Sequence, residues 1–198
     1  MTETLEEKCQ RLEHWETDAW AIKAVLNKEI LTALVIDPCV GTGILAEAAK
    51  ARGHHVAAFD VEPWGYAGTM INDWLNPQPF VAEMVKGETV LMNPPFTKSE
   101  KFVDQAFKLG ARKIVCFQRF DWYEGSDLAG KKRGAWWRNN RPARIWICGD
   151  RANCHLHSYP EAMRKEKGSR KQAYAFFVWE QGHPPAGLTG HIFKSGAV

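Results

Sequence analysis

The run Ala33-Leu-Val-Ile-Asp37 is followed at once by Pro-Cys-Val-Gly41-Thr-Gly43 and then by Ile44-Leu-Ala-Glu-Ala-Ala-Lys-Ala-Arg52. A short apolar run, a turn holding two glycines and an apolar-periodic segment spell strand, tight turn and helix. Gly53 stops the helix, and His55-Val-Ala-Ala-Phe-Asp60 is a second apolar run that again ends in an acid. Two strands joined through a helix must lie parallel with a right-handed crossover, which excludes most other folds. The same grammar continues in a strand at 89–92, a helix at 101–109 stopped by Gly110, and a strand at 113–117. The expected fold is a doubly wound α/β sheet of mostly parallel strands. Segments 143–148 and 172–179 are expected to pair as an antiparallel terminal hairpin at its edge, 149–171 to form a basic loop insertion, and 182–198 an irregular tail.

The 198 residues leave room for one domain, 1–198, and not for a second. No apolar run reaches the roughly 18 residues that cross a bilayer. Residues 1–8 are acidic rather than basic-then-apolar, so a soluble, cytoplasmic protein without membrane attachment is expected. Five scattered cysteines suit reduced thiols better than a disulfide framework. The formal net charge of +3 is unevenly spread: 1–107 carry 9 basic against 16 acidic residues, whereas 108–171 carry 16 against 6. That asymmetry suggests a ligand-handling first half and a polyanion-facing second half.

Two motifs carry chemistry. In Asp37-Pro38-Cys39-Val40-Gly41-Thr42-Gly43 the glycines let a ligand approach the backbone, and the helix start offers free N–H groups. The spacing fits neither the dinucleotide fingerprint nor a phosphate-binding P-loop. Asp60, ending the second strand, is placed to grip ribose hydroxyls, so a purine nucleoside cofactor without a phosphate to hold fits the pair. The second motif, Asn93-Pro94-Pro95-Phe96, follows a strand. Two prolines fix the backbone and remove two donors, leaving carbonyls as acceptors. If the Asn93 side-chain oxygen and the Pro94 carbonyl each accept a hydrogen of an exocyclic amine, its lone pair is freed for attack. Phe96 offers a face on which a base can stack, and a duplex substrate would have to flip that base out.

On these residues the chain resembles the S-adenosylmethionine-dependent amino-methyltransferases, most closely the small N6-adenine DNA methyltransferases of phage and prophage type. Asp37 to Gly43 is similar to that family's cofactor motif, Asp60 to its ribose-binding acid and Asn93 to Phe96 to its catalytic tetrapeptide. The resemblance implies a Rossmann-like sheet of seven strands and S-adenosylmethionine as cofactor, contacted also by Thr17, Val61, Asp73 and Trp74. It likens 14–20 to a segment that closes over the cofactor, with Asp18 where the family often has proline, and 141–146 and 174–179 to the family's terminal hairpin. The implied reaction is methyl transfer to N6 of adenine in DNA. The rival enzymatic readings are transfer to guanine or adenine in RNA, or to a protein amide. A reading of another class is a nucleic-acid binder that keeps the cofactor pocket as a relic. The larger relatives' separate target-recognition domain has no counterpart in the sequence.

The DNA contacts expected from charge are Lys131, Lys132 and Arg133 in one turn and Arg164, Lys165, Lys167, Arg170 and Lys171 in the late loop. Trp136 and Trp137 cannot both point inward from a helix, so one of them is expected to face a ligand or a loop. Cys148, Cys154, His155 and His157 match no common zinc knuckle, and no metal is expected.

Overall fold

Four consecutive buried residues, Thr89–Met92, form a strand apolar on both sides, as happens only where a sheet is covered on both faces. The computed structural model describes residues 3–124, 133–159, 172–185 and 187–194. In chain order its strands are β1 (Trp15–Thr17), β2 (Leu34–Asp37), β3 (His55–Asp60), β4 (Met70–Ile71), β5 (Thr89–Met92), β6 (Lys113–Arg119), β7 (Arg144–Cys148), β8 (Cys154–Leu156), β9 (Tyr174–Glu180) and β10 (Leu188–Ile192). The helices are α1 (Leu5–Leu12), α2 (Ala19–Leu26), α3 (Ile44–Lys50), α4 (Pro79–Val85), α5 (Ser99–Lys108) and α6 (Arg133–Asn139).

Eight strands make the main sheet in the order β10-β7-β9-β6-β5-β2-β3-β4. β9 runs antiparallel to both its neighbours, and the other pairings are parallel. Alternate residues go to opposite faces. Ile114, Cys116, Ala175, Phe177 and Trp179 pack under α4, α5 and α6, while Val115, Phe117, Tyr174, Phe176 and Val178 pack with α2 and α3. The sheet is therefore doubly wound, as the sequence predicts.

Three details depart from the expectation. β9 lies inside the sheet, between β6 and β7, so the antiparallel pair is not the edge; its seven residues find apolar partners on both faces. β10 comes from the expected tail and makes the sheet eight-stranded, parallel to β7, where its Gly190 lets the Trp146 ring lie close. β8 falls in the stretch read as loop and pairs antiparallel with β1 as a separate two-stranded ribbon.

One buried ion network ties the sheet to the loop after α2. Glu29 accepts from Lys113 Nζ at 2.9 Å, Arg144 Nε at 2.6 Å and the Trp146 indole at 2.8 Å, and Glu180 reaches both cations. Burial acts against the Glu29 charge, but these donors outweigh it and hold the carboxyl below its ordinary range.

Candidate active site

Chain order reverses between β2 and β5, which lie side by side while β3 and β4 extend the sheet one way and β6 the other. Ligands of such sheets bind beyond the strand C-termini at this switch point. The Asp37 turn leaves β2 there, and Asn93 leaves β5 beside it. A cleft lined by both motifs opens at this place, bounded by Pro38, Cys39, Gly41, Asp60, Val61 and Asn93 and by the β1 segment His14 to Thr17.

The glycine turn is built as its residues demand. Gly41 (φ 54°) and Gly43 (φ 90°) take left-handed backbone, and Gly43 caps α3. Asp37 is fully buried, and its Oδ1 accepts only the Cys39 N–H at 3.2 Å, while Oδ2 is buried without a partner. Burial, with the charge of Asp60 nearby, pushes its carboxyl up to about 8. Asp60 takes the Gly41 N–H at 2.9 Å, the Glu62 N–H at 3.1 Å and the Trp64 indole N–H at 3.2 Å. A carboxylate offers about four lone-pair sites, so a two-handed ribose grip requires Trp64 to yield one. Burial raises the pKa of Asp60 as well.

Asn93 is oriented by β1. Its Nδ2 donates to the Trp15 carbonyl at 2.8 Å and to Thr17 Oγ1 at 3.0 Å, which turns Oδ1 away; that oxygen is buried and without a partner. The same segment clasps the loop through Glu13, whose carboxylate accepts from the Thr97 backbone N–H and hydroxyl. Pro94 is buried, and the Pro95 carbonyl accepts from Lys98 N at 2.9 Å and Ser99 Oγ at 3.2 Å. The half-buried Phe96 ring has the Arg119 guanidinium 5.6 Å above it and Tyr174 at 6.3 Å, so a stacking base has to displace Arg119.

Other expected residues fall less simply. Thr17 and Val61 line the cleft. Trp74 also lines it, but it is buried and donates its indole N–H to the Phe102 carbonyl. Asp73 is exposed, caps a turn through Leu75 N at 3.0 Å and lies outside the lining. Arg133 pairs with Glu100 at 2.8 Å, its side chain 22% exposed. Trp136 and Trp137 both join an aromatic cluster with Trp122 and Trp179, and Trp136 satisfies its indole on Asp104. A helix flank of mixed depth accommodates both because the half-buried ring keeps a polar partner. Lys131, Lys132, Arg164, Lys165, Lys167, Arg170 and Lys171 lie outside the described residues.

Two rings cover the glycine turn: His14, from the segment likened to a cofactor cover, and Tyr66, which nothing in the sequence marks. The His14 ring rests on the glycine turn, its Nε2 2.6 Å from where a Cβ on Gly41 would stand, and the Tyr66 ring covers Gly43 at 2.1 Å by the same measure. Both contacts join residues far apart along the chain. With these rings in place the cleft keeps about 80 Å³ of internal space, well below the roughly 300–1,000 Å³ of ordinary ligand pockets.

The buried Asp37 gives a pH signature. Its folded pKa of about 8 lies above the ordinary 3.8, so the stability it contributes is fully present below about 3.8 and is lost as pH rises through about 8. Asp37→Asn is expected to be more stable than the native chain, with the gap widening across that window. Urea midpoints at several pH values check this, and a constant gap would contradict it.

No protein-family model and no curated protein matches the chain. Solved structures do. The methyltransferase subunit of a type I restriction-modification system from Streptococcus thermophilus superposes with a TM-score of 0.57 at 10% identity, covering 83% of this chain and 43% of that one. A Listeria monocytogenes protein assigned as a class I S-adenosylmethionine-dependent methyltransferase gives 0.53 at 14% identity, covering 91% and 64%. A predicted O-methyltransferase from Agrobacterium tumefaciens gives 0.51 at 14% identity, covering 89% and 84%. The chain thus spans less than two thirds of the length of the first two. The fold is the Rossmann-like methyltransferase fold. Among the described residues no helix is long and apolar enough to cross a membrane.

Proposed function

We propose that the chain is an S-adenosylmethionine-dependent methyltransferase acting on an exocyclic amine of a nucleic-acid base, with N6 of adenine in DNA as its substrate. The observation that carries the reading is the orientation of Asn93: its amide nitrogen is spent on Trp15 and Thr17, and its amide oxygen is left as a buried acceptor with nothing to accept. A buried unpaired oxygen costs about 1–3 kcal/mol, so its persistence at a cleft fits an incoming donor.

The cleft's own groups fit the cofactor. Gly41 and Gly43 put no side chain of their own between a ligand and the turn, Asp60 has about one acceptor site to spare for a ribose hydroxyl, and the orphaned Asp37 Oδ2 suits a donor. His14 must withdraw from Gly41 for a ligand to approach the turn. When bound, S-adenosylmethionine supplies an activated methyl carbon. Asn93 Oδ1 accepts one amine hydrogen, draws the nitrogen toward tetrahedral geometry and so releases its lone pair. The rigid Pro94-Pro95 backbone holds that acceptor in place, and Phe96 orients the base once Arg119 moves aside. A base inside a duplex must flip out to reach Asn93. The excess of basic residues over 108–171 and the phenylalanine in the tetrapeptide favour a base over a protein amide. DNA is preferred to RNA on the tetrapeptide's resemblance to the adenine enzymes.

The test is methyl transfer from radiolabelled cofactor to DNA, RNA and protein pools, followed by nucleoside analysis of the product; label in N6-methyladenine of DNA is expected, and label confined to RNA or protein would redirect the assignment. Asp60→Ala is expected to weaken cofactor binding by about 2 kcal/mol, the worth of hydrogen bonds to a charged group. Calorimetry measures it, and unchanged affinity would place the ribose elsewhere.

A further inference from the structure

His14 and Glu16 flank Trp15 on β1, and His155 and His157 flank Leu156 on and just after β8. The ribbon pairs Glu16 with His155 and Trp15 with Leu156, and His157 N–H donates to the His14 carbonyl at 3.1 Å, which continues the register. Side chains two residues apart share a face, and so do directly opposed pairs. Three imidazoles and one carboxylate therefore stand on one face of the ribbon, while Cys154 and Leu156 belong to the core behind it.

The spacing of their donor atoms is that of ligands. His157 Nδ1 is 2.6 Å from Glu16 Oε1, His155 Nε2 is 3.3 Å from Glu16 Oε2, and the ligand atoms of His14, Glu16 and His157 all lie within 4.8 Å of one another. A metal held at ~2.0–2.2 Å from each donor sets tetrahedral donors roughly 3.3–3.5 Å apart, a distance these separations bracket. His157 Nδ1 spends itself on Glu16, but three other imidazole nitrogens are uncommitted. His14 Nδ1 and both ring nitrogens of His155 are buried without a hydrogen-bond partner, and the His155 side chain is only 9% exposed; its Nε2 faces Glu16 without the alignment of a hydrogen bond. Buried imidazoles with unused lone pairs around a buried carboxylate are a costly arrangement unless something collects them.

We propose that this face is a binding site for a divalent transition metal of the zinc class, ligated by His14, Glu16 and His157 with His155 as the further donor. Histidine nitrogen with one carboxylate is the donor set of that class, and hard cations such as magnesium or calcium would want oxygens instead. The Cys154 thiol stays out of the set, because it lies in the core on the other face of the ribbon. The metal would pin the segment whose Trp15 carbonyl and Thr17 hydroxyl orient Asn93. It would also hold the His14 ring on Gly41, keeping the glycine turn covered; this second consequence rests on reading the cleft as a cofactor site.

The full-length chain, freed of any histidine tag, is titrated with ZnCl2 by calorimetry and with Co2+ by visible absorption. The expected result is one zinc per chain and cobalt bands without a near-ultraviolet thiolate band. Glu16→Gln and His157→Ala should each weaken zinc at least ~10-fold, the loss that even residues behind the ligands produce, while the exposed His55→Ala changes nothing. Glu16→Gln keeps the shape of the side chain, so the test survives if His157→Ala does not fold, which circular dichroism shows. A native chain that takes up no zinc, Glu16→Gln binding as tightly as the native chain, or a thiolate band overturns the site. S-adenosylmethionine should weaken zinc binding; no effect with zinc still bound would overturn the coupling to the cleft alone.

Discussion

Replacing Asn93 with alanine is expected to lower methyl transfer at least ~100-fold, the usual cost of deleting one preorganised polar group in a water-poor site, with cofactor affinity nearly unchanged. The side chain divides its work between two ends. Nδ2 is held by the Trp15 carbonyl and Thr17, and Oδ1 is the buried acceptor aimed at an incoming amine. Removing Oδ1 leaves the glycine turn, Asp37 and Asp60 in place, so the defect belongs in the chemical step. Single-turnover transfer with labelled cofactor, set beside calorimetric cofactor binding, separates the two. Turnover close to that of the native chain would withdraw Asn93 from catalysis and leave the cleft a binding site.

The largest effect on stability is expected from Glu29→Ala. Glu29 is 6% exposed, and its carboxylate serves Lys113, Arg144 and the Trp146 indole together. Without it two cations share Glu180 alone, and Lys113 keeps only the Ile30 carbonyl at 2.7 Å besides. Breaking a buried pair by removing one partner costs ~3–5 kcal/mol because the other charge stays behind. That is a large part of a domain's ~5–15 kcal/mol. Urea unfolding should show a lower midpoint at an unchanged slope. Glu29→Ala together with Lys113→Met should recover part of the loss, since the stranded ammonium is then gone. No recovery would mean that the cost lies in packing rather than charge.

The network also shows where reading along the chain stops. Glu29 is an ordinary acid in a polar stretch, 84 residues from Lys113 and 115 from Arg144. No local pattern distinguishes it from the surface acids around it. The same holds for Arg133, whose ion pair with Glu100, 33 residues away, no local pattern announces. Trp136 and Trp137 offer aromatic rings that either a ligand or a core could use; the β6, β9 and α5 surfaces brought against them decide for the core. β10 lies in a tail with Pro184 and Pro185 and several glycines, and it is a strand only because β7 offers a parallel edge.

What the sequence by itself determined is local and periodic. Apolar runs ending in Asp37 and Asp60, glycines at the positive-φ positions 41 and 43, and the strand before Asn93 specify parallel βα units and put both motifs at strand C-termini. These signals survive because strand, turn and helix are each written in neighbouring residues. Only the tertiary structure decided which way Asn93 points, that Asp37 keeps an orphaned oxygen, that His14 lies on Gly41, and that His14 and Glu16 meet His155 and His157. Each depends on segments up to 141 residues apart. Their contact follows from sheet order and ribbon register, which the burial of the whole core selects and no single stretch of chain encodes.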